Sequence, residues 1–146
     1  MTKKNGFLDI LDEELSKNFS YDYEINWDKA HHAVELSFIL FELTDEEEPD
    51  ENFVYEDGVL FYDPEKTDFD PENYLITIPY DKQGLSREFI EFFVQFLQKT
   101  ADRGLADLMD FLETDEEEFT IKFDQKEFDK GDERLIEREF FPYPRY

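Results

Sequence analysis

The stretch YDYEINWDKAHHAVELSFILFEL, residues 21–43, decides the fold because its apolar side chains recur with a period of two. Residues 21–27 alternate apolar with polar side chains, a pattern typical of a half-buried strand. The polar turn DKAHH, residues 28–32, follows, and residues 34–40 again place apolar side chains on one face. The stretch therefore predicts a β-hairpin. Further apolar residues at the end of the second strand predict that this end is covered on both sides: Ile39, Phe41 and Leu43.

Helical patterns lie on both sides of this hairpin. Apolar residues at helical spacing predict an amphipathic helix over residues 6–18. The longest helical pattern begins after Ser86, which we expect to be its N-cap. Arg103-Gly104 interrupts the pattern, so residues 105–112 are predicted to form a second helix or a kinked extension.

Three more segments have strand character. Residues 53–63, FVYEDGVLFYD, predict strand structure broken at Asp57-Gly58. Residues 74–80 predict a strand that lies at an edge or ends at Pro79. Residues 119–123, with Phe, Ile and Phe at alternate positions, predict another strand.

The order of these elements predicts the fold class. Residues 125–138 are mostly charged and predict a marginal surface helix or a loop, interrupted by Gly131. The strands are grouped and do not alternate with helices, which is typical of α+β proteins. We expect a mostly antiparallel sheet of about five strands, with the N-terminal and central helices packed on one of its faces.

The composition indicates a folded protein with an acidic surface. The chain has 146 residues, with 40 acidic and 15 basic side chains and a formal net charge of −25. Such a charge opposes compaction, but 18% of the residues are aromatic, and these side chains supply the apolar area of a core. The length fits one domain, so we expect a single acidic domain over residues 1–146.

The charge and the residue types exclude several classes of partner. A field of −25 repels phosphates, which disfavours nucleic acid and anionic membranes as ligands. No window approaches the roughly 18 to 20 apolar residues of a membrane span. The chain has no cysteine, which excludes disulfides and is compatible with a reducing compartment. We therefore expect a cytoplasmic protein.

The acidic charge is concentrated in residues 44–72, which hold thirteen acidic residues and a single lysine, Lys66. Such a segment can keep an aromatic-rich protein soluble, dock a basic partner, or imitate the phosphates of a nucleic acid. Docking of a basic protein is the functional hypothesis that we retain. The candidate binding residues are Asp45, Glu46, Glu47, Glu48, Asp50 and Glu51.

Catalytic machinery is hard to find. The sequence has no glycine-rich phosphate loop, no GxSxG and no HExxH, and nothing in it calls for a cofactor. His31 and His32 are adjacent in the predicted turn and poorly placed to bind one metal together, so we expect two exposed histidines. The alternative is a small metal-dependent hydrolase that uses His31, His32 and neighbouring carboxylates.

The segment DFDPEN, residues 68–73, resembles the start of a calcium-binding EF-hand loop, since acidic residues occupy alternate positions. The pattern then departs from that of an EF-hand. Asn73 stands at the glycine position, and Pro79 stands where the bidentate glutamate belongs. A solvated loop is the expected structure.

The sequence FFPYPRY, residues 140–146, is either a handle for a partner or a clip that packs on the protein itself. Its prolines favour an extended path that presents the aromatic rings with little entropy left to lose on docking. Because monomers seldom leave large apolar patches open, we expect a clip in which Phe140, Phe141 and Tyr143 pack on the sheet or the core helix.

Four segments carry a resemblance to a known family: FLDILDEEL (7–15), YDYEINWDKAHHAVEL (21–36), GLSREF (84–89) and FFPYPRY (140–146). Together they resemble a family of short acidic proteins of unknown function from low-GC Gram-positive bacteria. The resemblance implies a bacterial cytosolic origin and one domain, and it implies no activity or catalytic residue. The sequence thus predicts a non-enzymatic protein-interaction module.

Overall fold

The computed structural model describes residues 6–44, 46–47, 52–114, 116 and 118–144, and in them the chain has an α+β fold. The helices are α1 (Phe7–Asn18), α2 (Arg87–Leu112) and α3 (Gln125–Glu133). The strands are β1 (Tyr23–Asp28), β2 (Ala33–Leu43), β3 (Phe53–Tyr62), β4 (Ile76–Pro79), β5 (Leu85–Ser86) and β6 (Phe140–Phe141).

The main sheet has four strands in the order β1-β2-β3-β4. The first three strands are antiparallel, and β4 runs parallel to β3 at the edge. Trp27 pairs with Val34 in the β1–β2 hairpin, so the hairpin predicted from residues 21–43 is confirmed. The strand predicted over residues 74–80 is also present, and it ends at Pro79. A separate two-stranded sheet joins β5 to β6.

The predicted break at Asp57-Gly58 is wrong, because β3 runs through both residues without interruption. Asp57 pairs with Phe38 and Gly58 with Ser37 of β2. The Asp57 carboxylate accepts a hydrogen bond from the Gly58 N–H at 2.8 Å, so the local turn chemistry of this dipeptide is satisfied inside the strand. An Asp-Gly pair opens a turn only when no neighbouring strands hold it extended.

The alternative of a second helix after Arg103-Gly104 is also wrong, and so is the strand predicted over residues 119–123. A single helix, α2, continues through Gly104, and Ile121 packs against it. The side chain of Ile121 lies 3.2 Å from the place where a Cβ of residue 104 would be. Residues 118–124 pair with no strand. Their aromatic side chains pack on α2 instead: Phe119 on Phe111 and Phe123 on Phe96.

The segment expected to be a marginal helix or a loop contains α3, which extends past Gly131. Ser86 caps α2 as predicted, since its hydroxyl accepts a hydrogen bond from the Phe89 N–H at 2.9 Å. The start of α2 and the hairpin were therefore set by local sequence signals. The strand predicted at residues 119–123 is absent. The alternating pattern that predicted it also suits an extended segment that lies on a helix.

The core includes aromatic side chains of β3 and of two helices. The ring of Phe61 in β3 contacts Phe7 of α1 at 6.1 Å and Phe93 of α2 at 5.4 Å between centroids. On the other face of the sheet lies the connection between β3 and β4, residues 63–75. Its Phe69 packs on Tyr62 of β3 at 4.5 Å, and this side of the sheet is partly covered as well.

Within the described ranges, every helix falls short of the length and apolarity that crossing a membrane requires.

Candidate functional site

The C-terminal segment, which we define as residues 137–144, is bound along the body of the protein. Phe141 in β6 pairs with Leu85 in β5. The Phe7 N–H donates to the Pro142 carbonyl at 3.0 Å, and the Arg87 N–H donates to the Glu139 carbonyl at 2.8 Å. Backbone groups at the starts of α1 and α2, which have no partner inside their own helices, are thereby satisfied by this segment.

Aromatic contacts fix the end of the C-terminal segment. Tyr143 stacks on Tyr80 with centroids 5.0 Å apart and planes inclined by 4°. Its hydroxyl oxygen accepts a hydrogen bond of 2.7 Å from the indole N–H of Trp27 in β1. Phe141 is half-buried, so the expected packing of Tyr143 and Phe141 is confirmed. The expectation for Phe140 is wrong, because 40% of its surface is exposed.

Two glycines make room for this segment. Gly6 and Gly84 have φ angles of 63° and 83°, in the left-handed region that L side chains rarely adopt. A Cβ at Gly84 would lie 1.9 Å from the Phe141 carbonyl oxygen, and one at Gly6 would lie 2.0 Å from that of Pro142. Neither position accepts any other residue while the C-terminal segment stays bound. Arg145 and Tyr146, the last residues of FFPYPRY, lie outside the described residues.

A carboxylate at the start of α2 also holds the segment. Glu88 Oε1 accepts hydrogen bonds from the Arg138 N–H at 2.6 Å and the Glu139 N–H at 3.1 Å. These bonds favour the ionised form and lower the pKa of Glu88. The Arg87 guanidinium pairs with Glu139 at 2.9 Å. The C-terminal segment is therefore held by charge-assisted hydrogen bonds as well as by apolar packing.

A concave site, which we call the tyrosine cleft, lies beside the C-terminal segment and has a volume of about 630 Å³. Four separate parts of the chain form it. The residues that line it are His32, Asp63, Pro64, Glu65, Lys66, Tyr80, Asp81, Lys82, Pro142 and Tyr143. Its volume falls within the range of about 300 to 1,000 Å³ that is usual for small-molecule sites.

The two histidines take different environments although they are adjacent. The exposed ring of His31 lies 2.8 Å from the Asp28 carboxylate. His32 has a left-handed backbone, with φ 53°, and its ring lies 6.3 Å from that of Tyr143 at the tyrosine cleft. The expectation of two exposed histidines therefore holds for His31 only, since His32 is half-buried. In the part of the chain that the structure describes, no three His, Asp or Glu side chains are grouped so that they could hold a metal ion.

The tyrosines of the cleft are hydrogen-bonding groups at physiological pH. Burial raises the pKa of Tyr80 and the pKa of Tyr143, in the second case against the opposing effect of the Trp27 hydrogen bond. Both phenols therefore stay protonated. The Tyr80 hydroxyl donates to the His32 carbonyl, which also accepts from the Thr67 hydroxyl at 3.1 Å. These two bonds fix the strained His32 backbone in place.

The predicted binding residues lie after β2. Glu46 and Glu47 are exposed, whereas Asp45, Glu48, Asp50 and Glu51 lie outside the described residues. The acidic stretch 44–72 is not one surface, because its middle is the central strand β3. There Asp57 is half-buried, and burial raises its pKa despite hydrogen bonds from the Gly58 and Leu75 N–H groups. Much of this stretch is therefore structural.

The end of α2 reaches the same end of the molecule as the end of β2. The ring of Phe119 contacts Phe111, near the end of α2, at 5.4 Å and Tyr55, near the start of β3, at 5.3 Å. The end of α2 thus lies close to the start of β3, which pairs with the end of β2. We call this region the acidic end. Its exposed carboxylates include Glu42, Glu46, Glu47, Asp107, Asp110, Glu113, Glu116 and Glu118.

Apolar side chains are exposed at the acidic end. Six large apolar residues stand out as exposed among those that the structure describes, and four of them are here: Leu43 (48%), Val54 (45%), Met109 (37%) and Leu112 (48%). Leu43 was expected to be covered, and that expectation is wrong. The other two residues of that face, Ile39 and Phe41, are half-buried, and the ring of Phe41 contacts that of Phe53 at 6.2 Å, so of this face only the last residue of β2 meets solvent.

The side-chain charges at the C-terminal end of α2 are unfavourable for the stability of the helix. Its last turn contains Asp110 and no basic residue, and Glu113 follows at the C-cap, where its N–H donates to the Asp110 and Phe111 carbonyl groups. A helix C-terminus carries a partial negative charge, so carboxylates there are repelled. The arrangement lowers stability, and a cation bound at this position would reverse its effect.

Comparisons with known proteins give a family. The family described as "Protein of unknown function (DUF3013)" matches residues 1–145. The chain belongs to this family. The match confirms the resemblance inferred from the four sequence segments, and because the function of the family is unknown, membership assigns no activity to any residue.

A crystal structure shows a similar chain. It is that of a conserved protein of unknown function from Enterococcus faecalis, a low-GC Gram-positive bacterium, with 32% sequence identity and a TM-score of 0.84. The similarity covers 99% of each chain. No curated protein matches the sequence significantly.

Proposed function

We propose that this member of the DUF3013 family is a non-enzymatic protein-interaction module whose acidic end binds a basic segment of another protein. The observation that carries the proposal is the end of α2, where Asp110 and Glu113 lie against the helix dipole with no basic residue in the last turn. Each such contact costs about 0.3 to 1 kcal/mol at an exposed helix end. Lysines or arginines of a partner would relieve this repulsion.

The apolar side chains of the acidic end supply the second component of a protein interface. Interfaces have an apolar centre surrounded by a polar rim, and the centre contributes most of the affinity. Leu112 and Met109 on α2, with Leu43 and Val54 on the strands, are exposed among carboxylates. A partner segment that alternates basic with apolar residues matches this surface. The carboxylates would accelerate its association and make it dependent on salt.

The setting of the module is part of the proposal. We place it in the cytoplasm, because a chain without cysteine gains nothing from an oxidising compartment. We take residues 1–146 to be one domain, with α1 and α2 on one face of the sheet. This arrangement is supported by Phe61, which contacts both Phe7 and Phe93.

Replacing Asp110 by Asn together with Glu113 by Gln tests the proposal through two effects of opposite sign. The double variant should be more stable than the wild type, by about 0.5 to 1.5 kcal/mol, because the repulsion at the helix end is removed. It should bind a basic partner about tenfold more weakly. Stability is measured by urea unfolding. The partner is captured from bacterial extract at low salt, purified, and titrated by calorimetry.

The matched control removes two carboxylates elsewhere, through Glu24→Gln and Asp68→Asn, both at exposed positions. It should bind the partner about as well as the wild type does. A second pair separates apolar contact from charge: Leu112→Ser should weaken binding, and Ile136→Ser, at an exposed residue before β6, should not. The proposal fails if no partner is captured at low salt, or if the captured partner binds the Asp110/Glu113 variant with unchanged affinity.

A further inference from the structure

We propose that the tyrosine cleft binds a small zwitterion with an aromatic body, of the chemical class of a free aromatic amino acid. The cleft contains neither Asp110 nor Glu113, and it is a separate site from the acidic end. The inference therefore does not depend on the protein-docking proposal. It rests on three features of the cleft: its apolar wall, its balance of charges and its rigidity.

The apolar wall consists of aromatic and proline side chains. Tyr80 and Tyr143 form a parallel stack, and Pro64 and Pro142 also line the cleft. Flat aromatic and proline surfaces pack well against an aromatic ring, and such contacts add to the free energy of burial. A ligand with a planar apolar body matches this wall better than a purely polar one does.

The charges of the tyrosine cleft are of both signs and nearly cancel. Asp63, Glu65 and Asp81 contribute three carboxylates, and Lys66 and Lys82 contribute two ammonium groups. Within the described part of the chain, neither ammonium group has a carboxylate within ion-pair distance. These lysines remain available to a ligand carboxylate. The Asp63 and Asp81 carboxylates each accept one backbone N–H, at 2.9 and 2.8 Å, and keep further lone pairs for an amine.

The charge of the whole protein selects a zwitterion over an anion. A net charge of −25 repels any ligand that carries net negative charge, and the repulsion acts before the ligand reaches the two lysines. A zwitterion has no net charge and is not repelled. At short range, its carboxylate meets Lys66 or Lys82, and its ammonium group meets Asp63 or Asp81.

The walls of the tyrosine cleft are held by local hydrogen bonds, so a ligand would order little of the chain. The Lys66 and Thr67 N–H groups donate to the Asp63 carbonyl at 3.1 and 2.9 Å. The Gln83 N–H donates to the Asp81 carboxylate at 2.8 Å. Each lysine thus extends from a closed turn. Such preorganisation lowers the entropic cost of binding.

The test is a titration of the 15N-labelled full chain with L-phenylalanine, followed by NMR. Amide shifts should change at His32, at residues 63, 65 and 66, and at residues 80–82. Three probes, each lacking one feature, accompany it: 3-phenylpropionate has no amine, 2-phenylethylamine has no carboxylate, and glycine has no apolar body. We expect each of the three to bind at least about tenfold more weakly than L-phenylalanine, a difference of about 1.4 kcal/mol.

Variants assign the charges. Lys66→Ala combined with Lys82→Ala should reduce the affinity for L-phenylalanine at least tenfold, and Lys126→Ala, at an exposed lysine of α3 outside the cleft, should leave it unchanged. The exposed positions keep these variants folded. The proposal is overturned if L-phenylalanine causes no shifts at the cleft at millimolar concentration, if 3-phenylpropionate binds as tightly, or if the double lysine variant binds like the wild type. Loss of a protein partner from the acidic end would affect none of these results.

Discussion

The C-terminal segment and the acidic end both contain apolar and charged side chains suited to binding, yet the first is packed on the protein and the second is exposed. Backbone hydrogen bonds, two glycines and the stacked Tyr143 satisfy the C-terminal segment within the chain. At the acidic end, Leu43 and Leu112 remain exposed, and Asp110 and Glu113 stand at the negative end of the α2 dipole with no basic residue in the last turn. Apolar and charged side chains that find partners within the chain stabilise the fold. Those that stay exposed are better candidates for binding another molecule.

Deleting residues 139–146 should give the largest effect on stability. The deletion removes the rings of Phe141 and Tyr143, exposes Tyr80, and leaves backbone groups of Phe7 and Arg87 without partners. The two half-buried rings and the two backbone hydrogen bonds together should cost about 3 kcal/mol or more, so the melting temperature should fall by about 10 °C or more. Differential scanning calorimetry measures it. Phe140→Ser is the control and should change stability by less than about 0.5 kcal/mol.

An unchanged melting temperature after the deletion would contradict the contrast between the two regions. It would make the C-terminal segment a handle, and the loss of a partner would then be expected.

Gly84→Ala should destabilise the protein by about 2 kcal/mol. The new Cβ meets the Phe141 carbonyl oxygen, and the φ angle of 83° is strained for alanine. Chemical unfolding in urea gives the free energy. Gln83→Ala, at the exposed neighbouring position, should have little effect. If Gly84→Ala were neutral, the close approach of the C-terminal segment would be wrong.

Glu88→Gln should give the smallest effect, and one that depends on pH. The pKa of Glu88 is lowered in the folded state, so its charge stabilises the protein above the pKa of the unfolded state, near 4.5, and this contribution is lost as pH falls through the folded value. The free energy of unfolding of the wild type should exceed that of the variant by about 1 kcal/mol or less at pH 7, since the site is partly exposed, and the difference should be smaller at pH 3.

Unfolding curves of the wild type and of Glu88→Gln at pH 7 and pH 3 measure the difference. Glu24→Gln, at an exposed position of β1, should show the same stability relative to the wild type at both pH values. A Glu88 difference that grew on acidification would show that its bonds to the C-terminal segment are not formed by the carboxylate.

Local signals made part of the fold predictable. The period of two in residues 21–43 predicted the first hairpin, and Ser86 predicted the start of α2. The break predicted at Asp57-Gly58 and the second helix predicted after Gly104 are absent because neighbours distant in sequence decide the conformation of these residues. Strand β2 holds Asp57 extended, and the side chain of Ile121 explains a glycine inside a helix.

The candidate sites were less predictable. The concentration of charge in residues 44–72 indicated the acidic end, but β3 divides that stretch, and the contribution of Asp110 and Glu113 depends on where α2 ends. The tyrosine cleft combines residues 32, 63–66, 80–82 and 142–143. No local sequence pattern connects segments so far apart. The unusual sequence FFPYPRY drew attention only to the part of the cleft that residues 142 and 143 form.

The hydrogen bond from Phe7 to Pro142 has a consequence for synthesis. A ribosome releases the chain from its N-terminus at about 5 to 20 residues per second, so α1 emerges several seconds before the residues that complete its packing. Until then Phe7 and Tyr80 lack a neighbour that they contact in the finished fold, Tyr143. The nascent chain therefore carries exposed aromatic surface for most of its translation, and we expect chaperones that recognise such surface to act on it during that interval.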